Sequence, residues 1–239
     1  SGGSTKTTLI EHWDGTSVSL VPSPNVSVEN EAVNELVSID GTGSDDIWAV
    51  GRYNRFGTGT DTLVQHWDGS EWSIVPSPNL GFDADHTTLT GVDAIAPDNV
   101  WAVGTYRTAD FPYDFKPVIL HWDGTSWKSV STECQPGINS VSALSANNVW
   151  AVGDTFACHF DGTAWTSTRV APGPSPDRPV NLLDVAVTGP KDAWGVGHVS
   201  IPCGERLCAN GEIQRWDGDD PDVRNGGHAA PPCAVHALS

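Results

Sequence analysis

The side chains best suited to bind a ligand or to catalyse a reaction lie in four irregular segments, each rich in charged or aromatic residues. The candidate ligand-binding residues in these segments are Arg52, Tyr53 and Arg55; Asp83, Asp85 and His86; Tyr106, Arg107, Asp110, Tyr113 and Asp114; and His198. Aromatic rings can stack on the apolar face of a pyranose, while Asp, Asn and Arg side chains hydrogen-bond to its hydroxyl groups. These segments therefore favour recognition of a carbohydrate, against the alternative that the residues only fill loops.

Four of these aspartates, Asp83, Asp85, Asp110 and Asp114, offer two further kinds of chemistry. Their oxygens suit Ca²⁺, with Asp83 and Asp85 as the weak candidates, but no EF-hand spacing supports such a site and we assign no metal or other cofactor. Paired carboxylates are also the minimum for glycoside hydrolysis. The sequence holds no nucleophile elbow, phosphate loop or zinc motif, so an enzyme is the less favoured reading and no catalytic residue is assigned.

The sequence holds five cysteines and no methionine. Cys203 and Cys208 lie in a segment with Gly and Pro and are candidates for a short disulfide, and Cys134 and Cys158 are candidates for a second. Cys233 would then be left over, although spacing alone does not fix the connectivity. Disulfides form in oxidising compartments, so we expect a secreted or extracellular protein.

Acidic residues outnumber basic residues by 30 to 12, which gives a net charge of −18. Such a charge repels phosphate backbones and anionic membrane surfaces, so nucleic acid is excluded as a partner. No apolar stretch approaches the ~20 residues that a membrane helix needs, so we expect no membrane insertion. A solvated acidic surface is the simplest explanation of the charge.

Two short motifs alternate along the chain, and they mark the predicted strands that the four irregular segments connect. The first ends in Trp-Asp-Gly or Phe-Asp-Gly and lies at 9–15, 63–69, 118–124, 156–162 and 212–218. The second, Trp-Ala-Val-Gly or Trp-Gly-Val-Gly with the residue before it, lies at 47–51, 100–104, 149–153 and 193–197. The repeat of roughly 38 to 56 residues is in the range of propeller blades.

Each repeat predicts four short strands linked by hairpins. In one complete repeat the strands span 89–96, 100–104, 118–122 and 126–130, and Asp123-Gly124 makes the turn between the last two. Four strands per repeat are typical of a β-propeller blade. The sequence therefore predicts an all-β fold, a single β-propeller domain over 1–239 with about five four-stranded blades.

The two ends of the chain are predicted to share one blade. Residues 8–21 match the third and fourth strands of a repeat, and residues 234–239 match the first strand at 140–145. The sequence contains no fifth Trp-Ala-Val-Gly strand, and we expect an irregular segment over 219–233 and a flexible start over 1–7. Closure protects sheet edges, whereas an incomplete last blade would leave an edge for self-association; a monomer and an assembly both stay open.

The combination of His-Trp-Asp-Gly-Thr-Ser-Trp, Val-Pro-Ser-Pro and Trp-Ala-Val-Gly resembles the repeats of secreted bacterial β-propeller proteins. The resemblance covers about 8–218 and 234–239 and implies the same fold and location. The Asp-Gly-Thr-Ser-Trp turn is also distantly similar to the Asp-box turn of sialidase-type propellers. That similarity implies a folding device and not a sialidase.

The side chains that recur in every repeat are predicted to be structural. The ring spreads one His per blade apart, so a shared metal site is disfavoured, and each second ring nitrogen is expected to satisfy a backbone group. The Asp of each Asp-Gly caps its turn, and the Trp of each Trp-Ala-Val-Gly packs between blades. The residues concerned are His12, His66, His121 and His159; Asp14, Asp68, Asp123, Asp161 and Asp217; and Trp48, Trp101, Trp150 and Trp194.

The connections after the second and fourth strands of each repeat are long and varied, whereas those after the first and third are short and uniform. These two sets would lie on opposite faces of the ring, and binding groups usually lie on loops of a rigid scaffold. We therefore predict a ligand-binding module that recognises carbohydrate or a cell surface through the variable face. A protein-interaction scaffold, and a glycoside hydrolase or lyase at the channel mouth, are the alternatives.

Overall fold

The computed structural model describes residues 5–28, 31–54, 59–80, 86–108, 114–170, 180–203, 206–217 and 224–225. For 201–203, 206–210 and 224–225 it describes the backbone alone. Every regular element in these ranges is a β-strand, so the predicted all-β class is confirmed. Within the same ranges, no helix is long and apolar enough to span a membrane.

The strands of the described residues form five antiparallel sheets, which follow one another along the chain. The first sheet contains β1 (Ile10–Trp13) and β2 (Val18–Val21). The second contains β3 (Val33–Gly43), β4 (Asp46–Asn54), β5 (Thr60–Trp67) and β6 (Trp72–Ile74). The third contains β7 (Thr87–Ala96), β8 (Asn99–Arg107), β9 (Phe115–Trp122) and β10 (Trp127–Ser129). The fourth contains β11 (Ile138–Ser145), β12 (Asn148–Gly153), β13 (Phe156–Phe160) and β14 (Trp165–Arg169). The fifth contains β15 (Val180–Gly189), β16 (Asp192–Cys203), β17 (Arg206–Trp216) and β18 (Arg224–Asn225).

Each four-stranded sheet is a meander in which chain neighbours are also hydrogen-bonded neighbours, as the repeat predicts. The fourth strand of the third sheet is shorter than the predicted 126–130, although Val130 still donates its N–H to the Ile119 carbonyl at 2.9 Å. In the fifth sheet β18 pairs with β17, so the prediction that 219–233 hold no strand is wrong for two residues. Residues 1–4 and the closing segment 234–239 lie outside the described residues.

The glycine that ends each Trp-Ala-Val-Gly motif lets the first two strands of a sheet approach closely. The first strand carries a β-bulge at this level in all four sheets. A Cβ atom on the glycine would lie about 2 Å from a carbonyl oxygen of the bulged strand, for example 2.0 Å from the Thr88 oxygen at Gly104 and 1.9 Å from the Asn181 oxygen at Gly197. The motif therefore needs glycine because any side chain would collide with backbone.

The complete sheets pack face to face in chain order. The first strands lie side by side, since β3 contacts β7, β7 contacts β11 and β11 contacts β15. A cluster of buried apolar residues fills each of the three spaces between successive complete sheets, with Trp48 (second and third sheets), Trp101 (third and fourth) and Leu182 (fourth and fifth) among its members. Burial of these apolar side chains is the main favourable contribution to this packing.

Hydrogen bonds between the first strands reinforce that packing. The position that faces the Trp of Trp-Ala-Val-Gly carries a side-chain oxygen that accepts a backbone N–H from the next sheet. Asp40 accepts from Ala94 at 2.7 Å, and Ser142 accepts from Val187 at 3.2 Å. Asp93, at the same position of the third sheet, accepts from the Ala143 N–H.

The Asp-Gly turns also form as predicted. In each turn one carboxylate oxygen accepts backbone N–H groups two and three residues further on, and the glycine has positive φ. The bonds join Asp14 to Thr16 and Ser17, Asp68 to Ser70 and Glu71, Asp123 to Thr125 and Ser126, and Asp161 to Thr163 and Ala164. The Glu71 N–H, together with the Ser70 hydroxyl and N–H, lowers the pKa of Asp68 to about 2. The Thr163 hydroxyl, together with the N–H groups of Ala164 and Thr163, lowers the pKa of Asp161 to about 2. Asp217 stands at the end of a described range, next to a glycine outside it.

Replacement of Gly104 by alanine is predicted to destabilise the protein by about 2–3 kcal/mol, because the new methyl group would collide with the Thr88 carbonyl. Gly211→Ala, in β17, is the control within a paired strand, since a Cβ there meets no atom within 4 Å. Urea unfolding of both variants measures the difference. Equal midpoints for the two variants would contradict this explanation of the motif.

The stability of the protein is predicted to depend on pH through Asp93. Burial, with a smaller contribution from the Asp40 charge, raises the pKa of Asp93 to about 6. Because the folded pKa exceeds the unfolded pKa of about 3.9, this group's contribution is fully present below pH 4 and is lost as the pH rises through 6. Asp93→Asn, or Asp93→Ser as in the next sheet, should therefore gain on the order of 3 kcal/mol over the wild type between pH 4 and pH 8. A difference in unfolding free energy that stays constant over this range would contradict the assignment.

Candidate functional site

The repeated histidines do not meet at a shared site. Each of the three that lie in complete sheets bonds through Nε2 to the Asp or Asn side chain that begins the second strand of its own sheet. His66 bonds to Asp46 at 2.7 Å, His121 to Asn99 at 2.9 Å, and His159 to Asn148 at 2.9 Å. Burial lowers the pKa of His121 and His159. The structural role is as predicted, but the expected backbone partner is wrong, because the acceptor is a side chain.

The Trp of each Trp-Ala-Val-Gly motif lies against the histidine of the same sheet. The ring centroids of Trp48 and His66 are 4.3 Å apart, and Trp101 and Trp150 lie at 4.4 and 4.6 Å from His121 and His159. Trp194 is the exception to the predicted packing between sheets, since it is 37% exposed and has the Arg215 guanidinium 5.0 Å from its ring centroid. The fifth sheet has no complete sheet after it in the described residues to cover this ring.

Two predicted ligand-binding residues of the second sheet lie within β4. Arg52 holds Glu35 of the neighbouring strand, with its Nε and an Nη atom each 2.9 Å from the same carboxylate oxygen. Tyr53 is the next residue and lies between Asn34 and Asp61 in the sheet. Arg52 therefore has a structural partner already, and the predicted Arg55 lies outside the described residues.

The third sheet brings several predicted residues to one end of β8. The Arg107 N–H donates to the His86 carbonyl at 3.2 Å, and His86 has a φ of 71°. Asp114 pairs with Lys116 at 2.7 Å, which lowers the pKa of that carboxyl. Tyr106 packs on the core between the second and third sheets. The predicted residues Asp83, Asp85, Asp110 and Tyr113 lie outside the described residues.

His198, which the sequence predicts to bind a ligand, lines a cleft in the structure. The cleft has a volume of about 480 Å³ and lies between the fourth and fifth sheets. It is lined by Gln135 and Pro136 of the β10–β11 connection, Asp154 and Thr155 of the β12–β13 connection, Asn181 of β15, and His198 and Ser200 of β16. The connections after the second and fourth strands thus meet here, which are the two classes that the sequence predicts to carry binding groups.

Strand pairing fixes the polar side of the cleft. Asn181 and His198 are directly opposite in the β15–β16 ladder, and residues in such a cross-strand pair have neighbouring side chains on one face. Asn139 Nδ2 donates to the Asn181 side-chain oxygen at 3.1 Å and to the Leu182 carbonyl at 2.7 Å. The bond from Asn139 orients the side-chain amide of Asn181 through its oxygen. The Asn181 Nδ2 atom takes no part in that bond.

The disulfide between Cys134 and Cys158 confirms one predicted pair. It ties the β10–β11 connection to β13, immediately before Gln135 and Pro136. By loop length, such a cross-link over 24 residues stabilises a fold by about 3 kcal/mol. The cleft wall is thereby fastened to the sheet behind it.

The segment predicted as a loop with a Cys203–Cys208 clip is instead a long hairpin. β16 and β17 pair from Ala193–Trp216 to Cys203–Arg206, and Cys208 is opposite Ile201. The side chains of both cysteines lie outside the described residues, so that disulfide stays a prediction, as does the state of Cys233. The backbone ladder explains the correction, because the pairing of β16 with β17 extends past Gly197, Pro202 and Gly211.

Sequence reasoning missed most of the cleft lining. Gln135, Asp154, Thr155 and Asn181 lie in short connections or at a strand end, without an aromatic or charged cluster to draw attention. Two signals point to them, namely the neighbouring Cys134 and Gly137. Gly137 has a φ of 85°, and a Cβ atom there would lie 2.8 Å from the Asp154 carboxylate.

The described residues contain no group of three or more His, Cys, Asp or Glu side chains that could hold a metal ion. The weak calcium candidates Asp83 and Asp85 lie outside them. Among the described residues that line the cleft, Asp154 supplies the carboxylate.

Comparison with known proteins adds no family to this picture. No family model matches the chain, and no curated protein matches it in sequence.

Proposed function

We propose that the five sheets are successive blades of one β-propeller. Three observations on the complete sheets support this architecture: each is the same four-stranded meander, their first strands lie side by side in chain order, and each packs face to face on the next. Repetition of four-stranded sheets around an axis is the propeller arrangement. In it, the cleft beside His198 belongs to the variable loop face.

We propose that this face binds a carbohydrate and that the cleft between the fourth and fifth sheets is the site. The observation that carries the proposal is the cleft itself, a volume of about 480 Å³ lined by amide, hydroxyl, imidazole and carboxylate groups on rigid strands and short connections. Ligand sites of this size orient their ligands by a few placed polar groups. The amides of Gln135 and Asn181 can donate through nitrogen and accept through oxygen, and the Asp154 carboxylate can accept, so vicinal hydroxyls of a sugar can be bound as donors and as acceptors.

The charge of the protein narrows the class of sugar. A net charge of −18 and the Asp154 carboxylate in the lining repel sulfated or phosphorylated glycans. A neutral sugar or an amino sugar therefore fits better than an anionic one. Pro136 supplies apolar surface in the lining, and the aromatic stacking expected from the loops is not provided by the described lining residues.

The location that fits this function is outside the cell. The Cys134–Cys158 disulfide is compatible with an oxidising environment. Glycans of cell surfaces are available there to a secreted recognition module.

A glycan array followed by calorimetric titration tests the proposal. We expect binding of a neutral or amino sugar, and we expect His198→Ala and Asn181→Ala each to weaken it at least about tenfold, since each removes a cleft hydrogen-bonding group. Ser167→Ala, an exposed change on the outer strand β14, is the control and should bind like the wild type.

Two results would count against the proposal. Absence of binding to every glycan at millimolar concentration would remove the carbohydrate assignment. Binding that is unchanged in both cleft variants would remove the cleft as its site.

A further inference from the structure

The two walls of the cleft beside His198 offer different hydrogen-bonding groups. The fourth sheet supplies Gln135 of the β10–β11 connection and Asp154 and Thr155 of the β12–β13 connection. The fifth sheet supplies Asn181 and His198, which are directly opposite in the β15–β16 ladder. A carboxylate accepts hydrogen bonds and cannot donate them, whereas an amide nitrogen donates. A bound molecule therefore meets different partners on its two sides.

The orientation of the Asn181 amide follows from its neighbours. Asn139 Nδ2 donates to the backbone carbonyl of Leu182 at 2.7 Å, so the atom that Asn139 presents here is its nitrogen. The same nitrogen is 3.1 Å from the side-chain oxygen of Asn181. A flip of the Asn181 amide would exchange its oxygen and nitrogen and place two donors against each other. The NH₂ group of Asn181 is therefore the end of the amide that can donate to a ligand.

The Asp154 carboxylate lies against a backbone position that has no side chain. Gly137 has a φ of 85°, and a Cβ atom there would lie 2.8 Å from Asp154 Oδ2 and 3.1 Å from Asp154 Cγ. Asp154 is an exposed residue, so its oxygens can be reached from the cleft. No Lys or Arg is among the described residues that line the cleft, and the carboxylate therefore gives this lining a negative charge.

The single carboxylate determines which kind of cation fits. Ca²⁺ takes about six to eight oxygen ligands, often from several carboxylates, whereas the described lining adds to Asp154 the amide of Gln135 and the hydroxyl of Thr155. A primary ammonium group carries three N–H donors. A carboxylate oxygen, an amide oxygen and a hydroxyl oxygen can accept all three. The wall of the fourth sheet therefore suits an ammonium group better than a metal ion.

We propose that the cleft selects a sugar with a free amino group, whose ammonium lies at Asp154 and whose ring hydroxyls lie at Asn181 and His198. This inference rests on the proposed function, because it names the class of sugar that the same cleft binds. Hydrogen bonds between an ammonium and a carboxylate are stronger than neutral ones. The net charge of −18 also attracts a cationic ligand toward the protein.

The closest compound that the cleft should bind less well is the N-acetylated sugar. Acetylation removes the positive charge of the nitrogen and two of its three N–H donors, while the ring hydroxyls stay the same. A sugar with a hydroxyl in place of the amine lacks the charge in the same way. Both compounds keep the contacts to Asn181 and His198 and lose the contact to Asp154.

The probes for the test are the disaccharides of glucosamine, N-acetylglucosamine and glucose with the same linkage. Binding to the full chain is measured by calorimetric titration at neutral pH, at low and at high salt. We expect the amino disaccharide to bind about fivefold more tightly than either of the others, the size expected for a solvent-accessible ion pair. This preference should disappear at high salt, because salt screens the interaction of exposed charges.

Three variants connect the preference to Asp154. Asp154→Asn keeps the shape of the side chain without its charge, and should weaken the amino disaccharide about fivefold while the other two bind as before. Glu133→Gln is the matched control, since it removes the same charge from an exposed residue of the β10–β11 connection that is not in the cleft lining. It should keep the preference. His198→Ala should weaken all three disaccharides alike, because they share the hydroxyls.

Three outcomes would overturn the proposal. The first is equal binding of the three disaccharides, or a preference that survives in Asp154→Asn; loss of binding in His198→Ala would then still support a carbohydrate site. The second is loss of the preference in Glu133→Gln as well, which would make it a property of the whole protein's charge. The third is binding of the N-acetylated amide of lysine as tightly as the amino disaccharide, which would make a lysine side chain the ligand.

The proposed function itself fails by a different result. If none of the three disaccharides binds and no other glycan does, the cleft is not a carbohydrate site, and its selectivity for an amino sugar falls with it.

Discussion

The coupling of each sheet to the next depends on one side-chain oxygen at a fixed place in the repeat. That oxygen belongs to Asp40, Asp93 or Ser142 and lies opposite the Trp of the second strand. It accepts a backbone N–H from the first strand of the following sheet. Since the bond holds the sheets at a constant offset, the Trp rings and apolar clusters between them meet in the same way at each junction.

The two ends of each sheet differ in how far their contacts repeat from sheet to sheet. At one end, the Asp turn, the His–Asx bond and the Trp ring close the sheet with the same atoms in the second, third and fourth sheets, and in the fifth sheet Arg215 stands in place of His and bonds to Asp192. At the other end, the connections differ in length and chemistry, and the cleft beside His198 lies there. Because the repeated contacts are confined to one end, the variable end can change without loss of the packing.

Much of the fold could be predicted from sequence because the motifs of the repeat form their hydrogen bonds between residues that are close in the chain. An Asp-Gly turn between two apolar runs and a Trp-Ala-Val-Gly strand determine strand order within a sheet, and Cys134 and Cys158 were identified as a pair. The cleft could not be predicted in the same way. Asn181 and Asp154 belong to different sheets, and their proximity depends on how two sheets are offset, which no local pattern contains.

Contacts between strands are also hidden from local sequence. Arg52 is predicted to bind a ligand, and the structure adds that its side chain pairs with Glu35 on the adjacent strand. Such a partner becomes apparent only from the register of β3 and β4, which the bulge shifts by one residue. The loop predicted around Cys203 became a ladder because nothing in its sequence marks where β16 ends.

Ala186 occupies, in the fifth sheet, the position of the coupling oxygen, and a methyl group cannot accept a hydrogen bond. The fifth sheet therefore differs from the second, third and fourth sheets, because it has no side-chain oxygen at this position to bond to a following sheet. In an array where each unit is stabilised by its neighbours, cooperativity is lost first where the nearest-neighbour energy is smallest. A junction formed on the outer face of the fifth sheet would thus lack this bond and separate first, while the junction at the cleft beside His198 keeps its bond between Val187 and Ser142.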